Sequence, residues 1–332
     1  MLMARRRRET RKTKLVYTVV TLIIALALAL TGYFFGDEIA GFIQAPDGGD
    51  TGANPPDTGT DGDGDTPLVG GPVEGTMDIH FIDVGQADAI LVIDGGKVML
   101  VDTGDTGRKS RDALVAYLEN MNITKIDYLI LTHPDADHIG GAPTVIETFD
   151  VESCIMPNAV KDTVIYENTL YALENGQVNV IEAVSGDVYT LDGAQFKVLA
   201  PNSEEYEDWN DYSVVIKLVF GESSIMLTGD AHVESESEIL AKYDESELDC
   251  DVLKAGHHGS RTSTGDAFLA AVSPDYVVIS CGEGNSYGHP HSETLDKLEE
   301  ANIPIYRTDL LGTVVLHTDG ETITFTFEKS AD

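Results

Sequence analysis

From Met77 onward, short apolar runs alternate with amphipathic stretches. Ala89 to Ile93, Val98 to Val101 and Ile126 to Leu131 are compact, largely apolar and bounded by turn residues, so each reads as a strand. Arg111 to Met121 has a different rhythm. Leu114, Tyr117, Leu118 and Met121 recur at helical spacing, which predicts a helix whose apolar stripe is core. A second series of predicted strands covers Gln195 to Ala200, Ser213 to Phe220, Ile225 to Leu227, Asp251 to Lys254 and Tyr276 to Ser280. A helix is expected near Ser292 to Glu300. Two β/α halves of this kind suggest an α/β (α+β) fold, with two sheets packed face to face and helices outside. Gly186, Gly193 and Pro201 mark loops. Asn158 to Gly176 shows no strong period and is expected to be a lid or spacer.

The N-terminal quarter has another character. Leu15 to Phe35 carries no charge, and at ~1.5 Å per residue it is long enough for a ~30 Å hydrocarbon core. Seven Lys/Arg fall within residues 1–14, so the positive-inside rule keeps that end cytoplasmic and sends the remainder outside. The expected organisation is a basic cytoplasmic tail (1–14), a single-pass transmembrane anchor (15–36), an acidic linker (37–76) and a folded domain (77–330). Secretion after signal cleavage is the alternative, although Ala40-Gly41 and Ala45-Pro46 are poor cleavage sites. Residues 44–76 contain no Lys or Arg, seven acidic residues and many Gly, Pro, Asp and Thr, the composition of a disordered tether. Asp61-Gly62-Asp63-Gly64-Asp65 looks like the start of a calcium loop, but Pro72 stands where the closing glutamate belongs.

The formal net charge is -36, and beyond residue 14 there are 14 basic against 56 acidic residues. Such a surface repels nucleic acid and anionic lipid over most of its area. It argues against tight non-specific DNA binding but not against a nuclease, because bound metal ions dominate the local field of such a site. Cys154, Cys250 and Cys281 are odd in number and far apart, so no disulfide framework is implied and buried apolar cysteine is the default.

The densest chemistry follows the predicted strand 126–131. Thr132-His133-Pro134-Asp135-Ala136-Asp137-His138-Ile139-Gly140-Gly141 places two histidines and two aspartates within six residues. Imidazole with carboxylate suits zinc, manganese or iron better than calcium. Pro134, Gly140 and Gly141 are expected to keep the loop open, so that backbone can approach an ion. A helix start capped by Asp137 is the plainer reading, but a cap does not need four ligand-type side chains. Leu227-Thr228-Gly229-Asp230 sets a carboxylate at a strand end, and Asp251 to Ser260 runs a strand into His257-His258-Gly259-Ser260. Asn210-Asp211-Tyr212-Ser213 and Asn285 to His291 would each pass alone for a turn.

Taken in order, these segments resemble the metallo-β-lactamase superfamily, and within it the hydrolase domain of ComEC-type DNA-uptake proteins and their stand-alone relatives. The resemblance spans roughly residues 77–330. It rests on His80-Phe81-Ile82-Asp83-Val84-Gly85-Gln86-Ala87-Asp88, Val101-Asp102-Thr103-Gly104, the His133 motif, Thr228-Gly229-Asp230, His257-His258-Gly259-Ser260, Tyr287-Gly288-His289-Pro290 and Tyr306-Arg307-Thr308-Asp309. It implies a four-layer αββα sandwich with two divalent metal ions, zinc or manganese, at one edge. His133 and Asp135 would serve one metal. Asp137, His138 and one histidine of the 257/258 pair would serve the other, with Asp230 bridging. His258 is favoured as ligand and His257 as acid/base group, a choice the sequence leaves open. Asp137 or Asp230 would orient the attacking water, and His257 or His289 would protonate the leaving oxygen. Asn210, Ser213, Ser260 and Tyr287 are candidate substrate contacts. Asp135 replaces the second histidine of the superfamily's His-x-His-x-Asp-His pattern, and no histidine lies between His138 and His232. The centre is therefore oxygen-rich, which weakens the case for two obligatory zincs and admits manganese.

The resulting expectation is an extracellular, membrane-tethered, metal-dependent phosphodiesterase or nuclease acting on DNA. A cell-wall phosphoester esterase (teichoic acid or phosphocholine) is the enzymatic alternative, and a non-catalytic binding module that keeps the fold is the alternative of another class. The membrane, through the N-terminal helix, and a phosphodiester substrate are the expected partners. No stable protein partner follows from the sequence.

Overall fold

The computed structural model describes Leu68 and residues 70–330. The expected basic tail, membrane anchor and most of the linker lie outside the described residues. No helix among the described residues is long and apolar enough to cross a membrane.

Among the described residues, two sheets form the interior. The first has eight strands. In spatial order they are Ile323–Phe327 (β15), Val314–Thr318 (β14), Met77–Phe81 (β1), Ile90–Asp94 (β2), Lys97–Val101 (β3), Lys125–Ile130 (β4), Asp150–Met156 (β5) and Asn179–Glu182 (β6). The second has seven: Ile305–Arg307 (β13), Tyr276–Ile279 (β12), Val252–Lys254 (β11), Ser223–Leu227 (β10), Val215–Phe220 (β9), Ala194–Ala200 (β8) and Val188–Leu191 (β7).

The period of two in each strand assigns its side chains to layers. In β2, Ile90 and Val92 enter the core between the sheets, whereas Leu91 joins the outer core. In β10, Ile225 and Leu227 face inward and Met226 outward. Helices cover both outer faces. Leu114 and Leu118 of Arg108–Asn120, Val145 of Ala142–Thr148 and Leu173 of Val164–Asn175 pack with Leu100 and Leu129 of the first sheet. Ile239 of Val233–Lys242, Phe268 of Asp266–Val272 and Leu298 of Ser292–Glu300 pack with Leu253 and Val277 of the second. The result is a mixed α/β sandwich in four layers. Both faces of each sheet are needed for burial, which is why the strands read as continuous apolar runs.

Parallel pairing positions the site. In the first sheet β3 and β4 run parallel, with Val101 opposite Ile130. In the second, β10, β11 and β12 run parallel. The loops leaving these carboxyl ends therefore emerge along common edges, where parallel sheets characteristically place ligands.

Three features differ from the sequence expectation. Residues 158–176 contain the helix Val164–Asn175, begun by Thr163, whose hydroxyl accepts the Tyr166 N–H. Its buried positions are Tyr166, Thr169, Ala172 and Leu173, too weakly apolar to show a period. Strands β6 and β7 flank Gly186 and were not expected, because β6 is an edge strand of largely exposed residues. The strand expected from Ser213 begins at Val215, because Ser213 closes a 3-10 helix, Trp209–Tyr212.

Candidate metal centre

Three loops supply the centre, each leaving a strand end. After β4, Asp137 and His138 ride on the single-turn helix Ala136–Ile139. After β10 comes Asp230. After β11 comes a turn in which His257, His258 and Gly259 have φ of 49°, 54° and 79°, three successive left-handed residues. Such backbone is costly for histidine and turns both imidazoles toward the sheet edge. One ligand-type atom from each of Asp137, His138, Asp230 and His258 lies within 4.8 Å of all the others. His138 Nε2 is 3.2 Å and His258 Nε2 3.5 Å from Asp230 Oδ2, and His258 Nε2 is 3.3 Å from Asp137 Oδ2.

The opposite nitrogen of each ring is held from behind. His138 Nδ1 donates to Asp102 Oδ2 at 2.7 Å, and His258 Nδ1 donates to the Ser280 carbonyl at 2.9 Å. Anchoring Nδ1 aims Nε2 at the centre, the usual arrangement behind a metal-binding histidine. Asp102 is itself left-handed (φ 60°) and accepts from the Thr132 N–H and hydroxyl at 2.8 and 2.7 Å. Behind His258 lies Asp88, 3.4 Å from its Nδ1, and Asp88 pairs with the fully buried Lys254 at 2.7 Å.

The electrostatics favour a bound cation. Burial opposes charge on His138, but Asp230 and Asp102 overcome it and push its pKa well above the imidazole range. Burial likewise opposes charge on His258, yet Asp230 and Asp88 raise it to about 10. Asp230, which burial alone would push up, is held well below the carboxylate range by His138 and His258. These carboxylates thus demand positive charge at one point, and a divalent ion is the natural source. His133 Nε2 and Asp230 Oδ1 are buried without a hydrogen-bond partner, as donor atoms awaiting an ion would be. Burial drives His133 down to about 3, leaving a neutral ring with an available lone pair. The donor set therefore fits zinc or manganese.

The remaining sequence candidates spread around this cluster. The His133 ring lies 4.1 Å from that of His138, tilted by 50°, with its Nδ1 3.1 Å from Thr132 Oγ1 and 3.4 Å from Ser213 Oγ. Ser213 Oγ also accepts the Asp230 N–H at 3.1 Å. Asp135 stands apart from the four-residue cluster, and its carboxylate pairs with Lys161. His257 Nε2 is 3.6 Å from Asp230 Oδ2, and its Nδ1 is 2.9 Å from His232 Nε2. Asn210 reaches the same His232 nitrogen at 3.3 Å. The His289 ring is 5.3 Å from His257, and Tyr287, 67% exposed, stacks on it at 5.7 Å. The buried Ser260 bonds to Thr262 at 2.9 Å.

Gly140 and Gly141 do something other than bare the loop for an ion. A Cβ on Gly140 would lie 2.2 Å from the Thr106 nitrogen, and one on Gly141 2.3 Å from the Thr103 oxygen. They let the loop seat against residues 103–106, which follow Asp102. Asp88, Asp102, Lys254 and His232 were assigned no role from the sequence. The signal for Asp88 and Lys254 was a charge set inside an apolar run.

Residues 82–283 match the profile of the Metallo-beta-lactamase superfamily, and the chain belongs to that family. More narrowly, it is related to competence proteins. It is 34% identical over 254 residues to ComE operon protein 3 of Bacillus subtilis, covering 71% of this chain and 32% of that protein. It is 32% identical over 233 residues to Competence protein ComA of Neisseria gonorrhoeae, covering 69% and 30%. The chain thus spans about a third of the length of these relatives. Among solved structures, the metallo hydrolase Igni18 of Ignicoccus hospitalis shares the fold, with a TM-score of 0.50 at 18% identity, over 73% of this chain and 98% of that one.

Proposed function

We propose that this metallo-β-lactamase-fold hydrolase is a metal-dependent phosphodiesterase of nuclease type. It acts on DNA outside the cell and is held at the membrane by residues 15–36. The carrying observation is the donor set: buried, partnerless imidazole and carboxylate atoms converge with oxygen ligands at least as numerous as nitrogen ligands. His133 and Asp135 would hold one ion and Asp137, His138 and His258 the other, with Asp230 between them. Paired divalent ions supply Lewis acidity and neutralise charge on phosphoryl oxygens. Asp137, one-third exposed, is the cluster carboxylate that solvent reaches most readily, so it is placed to orient the attacking water. His257 and His289 are both depressed by burial, His289 to about 4, and are neutral near pH 7. A neutral imidazole at this position can accept a proton and return it to the leaving oxygen. The names of the relatives, competence proteins, support DNA as substrate.

The test uses the full chain in detergent. Single- and double-stranded DNA are offered with zinc or manganese, with and without chelator, beside a β-lactam and a choline phosphodiester. Chelator-sensitive turnover of DNA supports the proposal. Turnover of the choline ester alone transfers it to a cell-wall phosphoester, and turnover of the β-lactam alone refutes both. The location is tested by protease added to intact cells, which should cut the segment 47–65.

A further inference from the structure

Lys161 joins three segments at the rim of the centre. It pairs with Asp135 of the metal loop, and its Nζ lies 5.5 Å from the ring centroid of Trp209. Trp209 begins the 3-10 helix whose Asn210 reaches His232 and whose closing Ser213 reaches His133. The lysine side chain is 21% exposed, so it is partly open to solvent. Cations are scarce in this chain, 21 Lys and Arg against 57 Asp and Glu. One of the few stands against a carboxylate that the proposed function assigns to a metal.

The two uses of Asp135 compete. A carboxylate that gives its charge to a divalent ion no longer satisfies an ammonium beside it. Lys161 would then face the added positive charge with an indole ring as its remaining neighbour, and a ring face is a weak substitute for a carboxylate. An anion in that gap relieves both charges. We infer that Lys161 is the residue that contacts a phosphate flanking the scissile one, and that a cation on Asp135 releases it for that task. Resting on the phosphodiesterase reading, this narrows the substrate to a chain of phosphodiesters rather than an isolated ester. Cation and substrate then bind cooperatively, each strengthening the other through the freed lysine.

Trp209 is the sole tryptophan, so its fluorescence reports Lys161 without requiring turnover. The probe is an oligothymidylate of about eight nucleotides with phosphorothioate linkages, titrated into the zinc-loaded full chain in detergent across a salt series. Binding should change the emission and weaken as salt rises. One phosphate contact on a single strand contributes about 0.7 to the slope of log affinity against log salt. Lys161→Met should therefore lower the slope by about 0.7 and weaken binding several-fold, and Lys161→Arg should restore both. Without zinc, the wild-type slope should fall toward that of Lys161→Met. A wild-type chain that cuts DNA while Lys161→Met keeps the wild-type affinity and slope overturns this inference alone. A wild-type chain that neither binds the oligonucleotide nor cuts DNA overturns the phosphodiesterase reading, and this inference with it.

Discussion

Replacing Lys254 by methionine isolates the buried charge behind the centre. Lys254 is 0% exposed and Asp88 1%, and their charged atoms are 2.7 Å apart. Lys254 also donates to the carbonyls of Gly229 and Ala255, each at 3.1 Å. Methionine fills most of the same space, so little apolar packing is lost. What is lost is the partner of a carboxylate that water cannot reach. Burial alone would raise the Asp88 pKa, but Lys254 first and His258 second hold it at about 2, against an ordinary 3.8. Breaking a buried pair by removing one partner typically costs ~3–5 kcal/mol. At ~2–4 °C per kcal/mol for a domain of this size, the melting temperature should fall by about 6–20 °C. The sign follows from the depressed pKa. The stabilisation is fully present above the ordinary aspartate pKa and is lost as pH falls through about 2, so a melt at neutral pH sees all of it. The assay is thermal unfolding followed by circular dichroism in chelator, which removes metal binding from the comparison. Adding Asp88→Asn to Lys254→Met should recover at least half the loss, because the stranded charge is gone. A Lys254→Met protein melting within about 2 °C of wild type, or a double variant no better than the single, would refute the reasoning.

Asp230→Ala should lower kcat/KM for an aryl phosphodiester by about a thousandfold or more and leave the circular dichroism spectrum unchanged, since the carboxylate lies between both proposed ion positions; a loss under tenfold would remove it from the centre. Gly140→Ala should destabilise by about 3 kcal/mol or fail to fold, because the added carbon meets backbone atoms that cannot turn aside, and a melting temperature near wild type would contradict the close seating. Glu236 is buried and pushed up to about 7, chiefly by burial, while its carboxylate accepts the N–H groups of Thr264 and Gly265. Because the folded state holds that proton more tightly, wild type should lose stability between pH 4.5 and 7 relative to Glu236→Gln, and a stability difference independent of pH in paired melts would contradict this.

Much of this architecture was legible in the sequence because both faces of each sheet are buried. Runs such as Ile126 to Leu131 carried no polar alternation and identified their strands directly. Some segments that escaped notice are those whose burial is partial or mild. β6 has no buried residue, and the helix after Thr163 packs through Tyr, Thr and Ala as much as through Leu. The centre divided along similar lines. Asp137, His138, Asp230 and His258 stood in dense polar motifs, and the structure gathers them. Asp102 and Asp88 are single carboxylates near strands, indistinguishable from turn residues until their partners are seen in space. The tie between Lys161 and Asp135, which lie on separate loops, left no mark on the sequence.

The pairing of β1 with β14 carries a consequence for how the domain comes into being. β1, the first strand among the described residues, lacks one neighbour until the chain has been synthesised to Thr318, whereas its other neighbour, β2, is complete long before. Until then β1 presents an open edge able to pair with another chain. A message broken near residue 310 would therefore yield a product carrying every proposed ligand yet prone to aggregate. Assembly should await release of nearly the whole polypeptide.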